Sequence, residues 1–199
     1  MRCEVTTGQL GAGELDRLAV LHRACLPRSI LSSLGHPAVA RYYAYLATSH
    51  DETIVVGWID GIVQAGLVVS RAPETLLRRF ALHAPHVLGG ELVRRLATSR
   101  DLRRRCWSRL HERPGTGAGM PEVVQIFTAP AHRGRGIGRQ LLRSCEETLR
   151  RAAEPAYCIH THAEDNDAGI RFYCREGFAA IGEARSFGDR FVMMKKGLR

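Results

Sequence analysis

Glu122-Val-Val-Gln-Ile-Phe-Thr-Ala-Pro-Ala-His-Arg-Gly-Arg-Gly-Ile-Gly-Arg-Gln-Leu-Leu142 reads as a strand, a glycine-rich turn and the start of a helix. Val123, Val124, Ile126 and Phe127 make an apolar, β-branched run of strand length. Pro130 ends it, because proline has no N–H to give to a ladder. Gly134, Gly136 and Gly138 then alternate with Arg133, Arg135, Ile137 and Arg139. Glycines at that spacing leave backbone N–H groups uncovered and allow a ligand to come close. From about Gly136 onward Ile137, Leu141, Leu142, Cys145, Leu149 and Ala152 follow a helical period. A helix start carries unpaired N–H groups and a partial positive charge. Rimmed by Arg133, Arg135 and Arg139, it suits a phosphate-bearing ligand. The plain alternative is a tight connection beside solvated arginines.

The spacing excludes two common phosphate loops. It lacks Gly-x-Gly-x-x-Gly, the dinucleotide fingerprint, and Gly-Lys-Ser/Thr, the end of a Walker loop. Arg133-x-x-Gly136-x-Gly138 resembles the acyl-coenzyme A loop of the GNAT superfamily of N-acyltransferases, Gln/Arg-x-x-Gly-x-Gly/Ala. After a strand expected over Tyr157–His162 comes Asp165-Asn-Asp-Ala-Gly-Ile-Arg-Phe-Tyr-Cys-Arg-Glu-Gly-Phe178. This stretch resembles the later GNAT motif Asn-x-x-Ala-x-x-Leu/Phe-Tyr-x-x-x-Gly-Phe. The two motifs stand in the family's order and cover the chain from Glu122 onward. The part before Glu122 matches in element order alone.

The resemblance implies an α/β (α+β) fold. Its core is a mixed, mostly antiparallel twisted sheet flanked by helices on both faces. It implies acetyl-CoA as co-substrate, no metal, and direct attack of a primary amine on the thioester. The pyrophosphate would lie on the amides of Arg133, Gly134, Arg135, Gly136, Ile137, Gly138 and Arg139. Ile126, Phe127 and Thr128 would flank the cofactor on the strand, a backbone N–H near Phe127 or Thr128 would polarise the carbonyl, and Asn166 would line the groove. Tyr173 would be the general acid for the thiolate, and Glu122, at the strand mouth, the base acting through water. Chemistry asks for these parts: a neutral amine, a donor for the developing oxyanion and a proton for the thiolate. His160 and His162 alternate on one strand and so share a face. One of them as base, or as a wall of the acceptor site, is a further reading. A core role for Tyr173 and solvated roles for Glu122 and the histidines stand beside these.

A chain of 199 residues can bury one good core, so a single domain over residues 1–199 is expected. No apolar run reaches the ~20 residues of a membrane span, and Met-Arg-Cys-Glu-Val lacks a signal-peptide core. The six cysteines include no Cys-x-x-Cys pair and read as small core residues of a reducing compartment. A cytoplasmic protein is expected. The net charge of +9 favours anionic ligands: coenzyme A, an anionic acceptor or nucleic acid. A nucleic-acid-binding protein is the weaker alternative, since the basic stretch carries few interleaved aromatics and no base-reading motif. A non-catalytic acyl-CoA-binding module is another.

The rest of the chain supplies the opening order of such a fold. A strand is expected over Arg2–Thr6. A helix over Glu14–Ala24 follows, with His22 among its apolar positions, then a helical turn over Ser29–Leu34 and a helix opened by Pro37. Thr53–Ile59 and Ile62–Ser70 are β-branched runs joined by Asp60-Gly61, a strong hairpin signal. Cys25, Ser29, Ser32, Ser33 and His36 fall where the resembling family shapes its acceptor site, though serines there also cap helices. Residues 71–113 depart from the minimal family pattern as a helical insertion between the third and fourth strands, with helices expected over Glu74–Ala84, from Pro85 onward and over Asp101–Glu112. With eleven arginines against four acids, the insertion reads as a helical layer with a solvated face, an acceptor wall or a dimer surface. A closing hairpin is expected from Phe178–Ala184 and Arg190–Lys195. The acceptor is an amino sugar or other small amine, or a protein N-terminus or lysine.

Overall fold

The middle strands of this sequence lack apolar–polar alternation because both faces of the sheet are covered. The computed structural model describes residues 3–7, 9–85, 98, 119–186 and 188–198. In chain order they form β1 (Cys3–Thr6), α1 (Ala12–Cys25), α2 (Ile30–Ser33), α3 (His36–Thr48), β2 (Glu52–Ile59), β3 (Ile62–Ser70), α4 (Pro73–His83) and β4 (Glu122–Thr128). A 3₁₀ turn (Pro130–His132), α5 (Ile137–Arg151), β5 (Ala156–His162), α6 (Asp167–Arg175), β6 (Ala179–Ser186) and β7 (Asp189–Gly197) follow. The expected elements over these residues are present, with ends displaced by a residue or two. The later helices of the insertion and the return segment over 113–118 lie outside the described residues.

Among the described residues seven strands make one sheet in the order β1-β2-β3-β4-β5-β7-β6. All neighbours are antiparallel except β4 and β5. Asp60 and Gly61 both have positive φ (49° and 77°), so the β2–β3 turn twists with its strands as a two-residue hairpin must. One face carries α1, α3 and α4 over Leu18, Val39, Tyr43, Leu46, Phe80 and Phe127. The other carries α5 and α6 over Val123, Leu141, Leu142, Tyr157, Ile159 and Tyr173. The strip of apolar residues read from the α5 sequence is the strip that is buried.

Two buried carboxylates tie layers together. Glu146 of α5 accepts from Tyr157 Oη of β5 (2.7 Å) and Lys196 Nζ of β7 (2.6 Å). Glu52 opens β2 with a fully buried side chain. It accepts from Arg79 Nη2 of α4 (2.6 Å), Arg79 Nη1 (3.1 Å), Ser70 Oγ (2.6 Å) and Ser49 Oγ. Arg79 also reaches Asp51 (3.2 Å) and Tyr45 Oη (3.1 Å). This fork-shaped pairing anchors the first helix of the insertion to the sheet.

The cysteines depart in part from their expected role. Cys145 and Cys158 are buried thiols of the core, but Cys25 is half-buried and Cys174 exposed. The exposed position follows from α6, which buries one stripe only.

Burial by itself raises the Glu52 carboxyl, but the hydrogen bonds from Arg79, Ser49 and Ser70 outweigh it, and its pKa lies below the ordinary 4.5. Its stabilising effect is therefore complete above the unfolded value and lost as pH falls through the folded one. Arg79→Ala leaves Glu52 buried without its cation and should cost about 3 kcal/mol, the low end for a broken buried pair, because Arg79 keeps some solvent contact. Urea unfolding should show this loss at pH 7 and a smaller one in acid, where the wild type has lost the pairing too. An equal loss at both pH values would contradict the assignment.

Candidate functional site

β4 and β5 are a parallel pair over two positions only, Glu122 opposite Cys158 and Val123 opposite Ile159. Beyond Val123 the strands separate, and the β5-facing edge of β4 has no strand partner among the described residues. β4 stays on β3 through a bulge at Val124, and its following alanine N–H reaches Gln64 O (2.8 Å). β5 stays on β7 along its whole length. The result is a wedge-shaped opening in the middle of the sheet.

The glycine-rich turn and the start of α5 stand at the wide end. Gly134 (φ 74°) and Gly136 (φ 77°) are left-handed, which glycine adopts without strain, and a Cβ at either would meet nothing within 4 Å. Gly136 is the N-cap of α5 and supplies no side-chain cap. The first backbone bond back into the helix is Gln140 N–H to Gly136 O (3.1 Å). Among the described residues the N–H groups of Ile137, Gly138 and Arg139 meet no backbone acceptor, so a first turn of donors faces outward. Ile137 is buried beneath them. A Cβ on Gly138 would come within 3.2 Å of the Phe172 ring, so this glycine lets α6 pack against α5. The cradle is thus a helix start with backbone donors and little side-chain bulk.

The arginines of the turn have separate duties. Arg139 Nε donates to Glu176 Oε1 (2.8 Å), linking α5 to the end of α6. Arg133 Nε donates to Thr128 O (3.2 Å), and Cys25 Sγ lies 3.6 Å from that same carbonyl. Thr128 O is therefore occupied, and Arg133 acts first as a brace on the end of β4. Arg135 is exposed beside the glycines.

The other predicted residues divide between the two faces of the sheet. Ile126 packs towards the α5 side, whereas Phe127 turns into the α1–α3 side, where its ring meets His22 edge-on at 6.0 Å. Tyr173 is buried against Phe172 and Phe178 in the cluster that holds Val123 and Ile159, the last paired residues of the wedge. Burial raises its phenol above the ordinary 10, so it stays protonated. Its hydroxyl has no hydrogen-bond partner among the described residues. Asn166 precedes α6, and its Nδ2 donates to Thr161 Oγ1 (2.6 Å) and His162 O (3.3 Å). The motif's alanine position is Gly169 here, and a Cβ there would lie 2.5 Å from Asn166 Oδ1. The departure from the motif is what lets Asn166 hold β5 in this way.

At the narrow end Glu122 Oε1 lies 2.7 Å from His160 Nδ1, with side chains 18% and 23% exposed. His162 instead lies against the Phe191 ring at 4.5 Å. The residues of the α1–α2 turn are engaged locally. Ser29 Oγ accepts from Ser32 N–H (3.0 Å), Ser32 Oγ donates to Leu26 O (2.8 Å), Ser33 Oγ donates to Ile30 O (2.5 Å), and His36 pairs with Asp16 (2.8 Å).

A polar chain that the sequence did not reveal runs beneath the wedge. His22 is fully buried between Ser29 Oγ (3.0 Å) and Tyr43 Oη (3.1 Å). Tyr43 Oη donates to Gln125 Oε1 (2.9 Å), and Gln125 Nε2 donates to Tyr42 Oη (3.3 Å). The bulge at Val124 turns Gln125 towards these tyrosines. The sequence signal was slight: two adjacent tyrosines and a histidine within apolar helix faces.

Residues 106–180 match the model of the acetyltransferase (GNAT) domain. Similar folds are found in PaiA N-acetyltransferase from Thermoplasma acidophilum, solved with coenzyme A (12% identity, 99% of each chain, TM-score 0.63). They are found also in an N-acetyltransferase from Staphylococcus aureus Mu50 (11%, 100% of each chain, 0.64). The ribosomal-protein-S18-alanine N-acetyltransferase from Escherichia coli is a third (11%, 99% of this chain and 94% of that chain, 0.60). No curated protein sequence matches. Sheet order and helix layers are those of the GNAT acetyltransferase fold, and residues 106–180 carry the match to that domain. No helix among the described residues is long and apolar enough to cross a membrane.

Burial pushes His22 down from its ordinary 6.5 to about 4. Between these values the unfolded chain binds more protons than the folded one, so stability falls as pH drops through that window, by roughly 3 kcal/mol in all. His22→Gln should flatten the dependence of unfolding free energy on pH between 6.5 and 4, read by urea titration. A slope equal to wild type would show that His22 is not the buried group responsible.

Proposed function

We infer that the protein transfers an acetyl group from acetyl-CoA to a primary amine across the β4–β5 wedge. The observation that carries this reading is the wedge itself. It joins an open strand edge to a helix start whose donors are uncovered. In this reading the pyrophosphate lies on the amides from Gly134 to Arg139, where the glycines leave room and the α5 dipole favours negative charge. The thioester arm runs along β4 past Thr128, Phe127 and Ile126 towards the narrow end. A backbone N–H on the open edge of β4 polarises the carbonyl as it becomes an oxyanion. Holding both reactants in the wedge supplies proximity.

Tyr173 stands on the α5–α6 side of the narrow end. A buried, protonated phenol with no other partner among the described residues is a suitable donor to a departing thiolate. The acceptor approaches from the other face, where Glu122, His160 and the α1–α2 turn lie. The amine must lose a proton there before it can attack, since free alkyl amines are charged at neutral pH. Thiol release from acetyl-CoA, measured with glucosamine, an alanine-initiated peptide and a lysine peptide, tests the reading. Acetyl-CoA binding without transfer to any amine would favour a binding module instead.

Two substitutions probe its parts. Gly136→Asp places a side chain in a left-handed position and a negative charge among the donors. Calorimetry should show acetyl-CoA affinity falling tenfold or more, on the order of the ~1.4 kcal/mol that a tenfold change represents. Unchanged affinity would remove the pyrophosphate from this turn. Tyr173→Phe keeps the ring and removes only the donor. It should lower kcat by ~10²–10⁴-fold with acetyl-CoA affinity within a few-fold. A kcat near wild type would assign the proton to water or to another group.

A further inference from the structure

We propose that the base of this reaction is His160, with Glu122 as the positioning residue that fixes the ring. The inference rests on the acetyl-transfer reading and names the atom that takes the proton. Glu122 is the first residue of β4 and is held on both sides, opposite Ser70 of β3 and opposite Cys158 of β5. Its Oε1 is 2.7 Å from His160 Nδ1. An ionised carboxylate only accepts, so in a neutral ring the proton must sit on Nδ1 and the lone pair on Nε2. Nε2 has no partner among the described residues. Among the described residues His132 Nδ1 is the sole buried side-chain N or O without one, so the lone pair of His160 is not sealed in the core. The ring is thus fixed at one nitrogen and open at the other, the arrangement that makes an imidazole a directed base.

Position supports the same assignment. His160 follows Ile159, the last β5 residue in register with β4. Its Cα therefore stands where the wedge begins. Val123 and Ile159 belong to the cluster with Tyr173. Side chains alternate along a strand, so Glu122 and His160 project from the opposite face. Base and acid then flank the reacting thioester from the two sides of the sheet. The amine, arriving as an ammonium ion, gives one proton to Nε2. The neutral nitrogen attacks the thioester carbon, the C–N bond forms and the C–S bond breaks. The second proton leaves the nitrogen for the sulfur by way of Tyr173, and His160 returns its proton to water. The imidazolium formed in between stands against the Glu122 carboxylate.

The premise is tested first by the tautomer. Long-range proton–nitrogen spectra of the full chain with acetyl-CoA should show His160 with its proton on Nδ1. A proton on Nε2 overturns the proposal whatever the activity. The chemistry is tested with the best amine of the three-acceptor panel. His160→Ala should lower kcat by ~10²–10⁴-fold, leave acetyl-CoA affinity within a few-fold, and recover part of its rate as imidazole is added. His160→Gln keeps a polar side chain beside Glu122 and should show the same loss if the alanine variant folds poorly. A near-normal kcat in either histidine variant overturns the proposal. So does a Glu122→Ala variant rescued by formate while His160→Ala is not rescued by imidazole, since the carboxylate would then be the base. A wild type that binds acetyl-CoA and transfers to no amine contradicts the acetyl-transfer reading instead, and the tautomer still reports on the pair.

Discussion

The structure depends on a sheet that comes apart in its middle without losing its edges. Two parallel pairs of residues join β4 to β5, and then the strands diverge. An unpaired strand edge inside a domain carries N–H and C=O groups that must find partners elsewhere. It persists only if both strands are held firmly on their far sides. β5 is held by β7 over all seven of its residues. β4 is held by β3, by the carbonyl contacts to Thr128, and by Gln125, whose amide is clamped between Tyr42 and Tyr43. The wedge is thus a property of the whole sandwich and not of the two strands that border it.

Buried and half-buried polar groups do much of this holding. Glu52, Glu146, His22 and Gln125 are each joined to elements far away in sequence, and each is hydrogen-bonded within the core. A buried polar network that is fully satisfied specifies one arrangement of layers, and one that is half satisfied costs more than an apolar core. Glu146 fixes α5, and hence the donor-bearing helix start, to β5 and β7. Glu52 ties α4 to β2. The apolar clusters on the two faces supply the bulk of the driving force, but they would tolerate sliding that these pairs do not.

The positive charge of the chain is only partly available to a ligand. Arg139 pairs with Glu176, Arg133 braces Thr128, and Arg79 is committed to Glu52 and Asp51. What the wide end of the wedge presents is chiefly backbone: the first N–H groups of α5, beside glycines at which an added Cβ would meet nothing within 4 Å.

The local features of this chain were legible in its residues. Strand and helix periods, Asp60-Gly61 at the hairpin, Pro130 at the end of β4 and the left-handed glycines before α5 depend on neighbours a few positions apart. The two motifs after Glu122 pointed to the GNAT domain whose match covers residues 106–180, and the element order announced the sheet. Tertiary structure alone decided which polar groups meet. Glu122 and His160 lie 38 residues apart, and Tyr43 and Gln125 lie 82 apart. Periodicity places such side chains on a face but says nothing of what stands opposite. The bulge that turns Gln125, the ion pair that occupies Arg139 and the point where β5 leaves β4 all arise from strand register and helix docking, which are set by packing of distant segments and not by any local pattern.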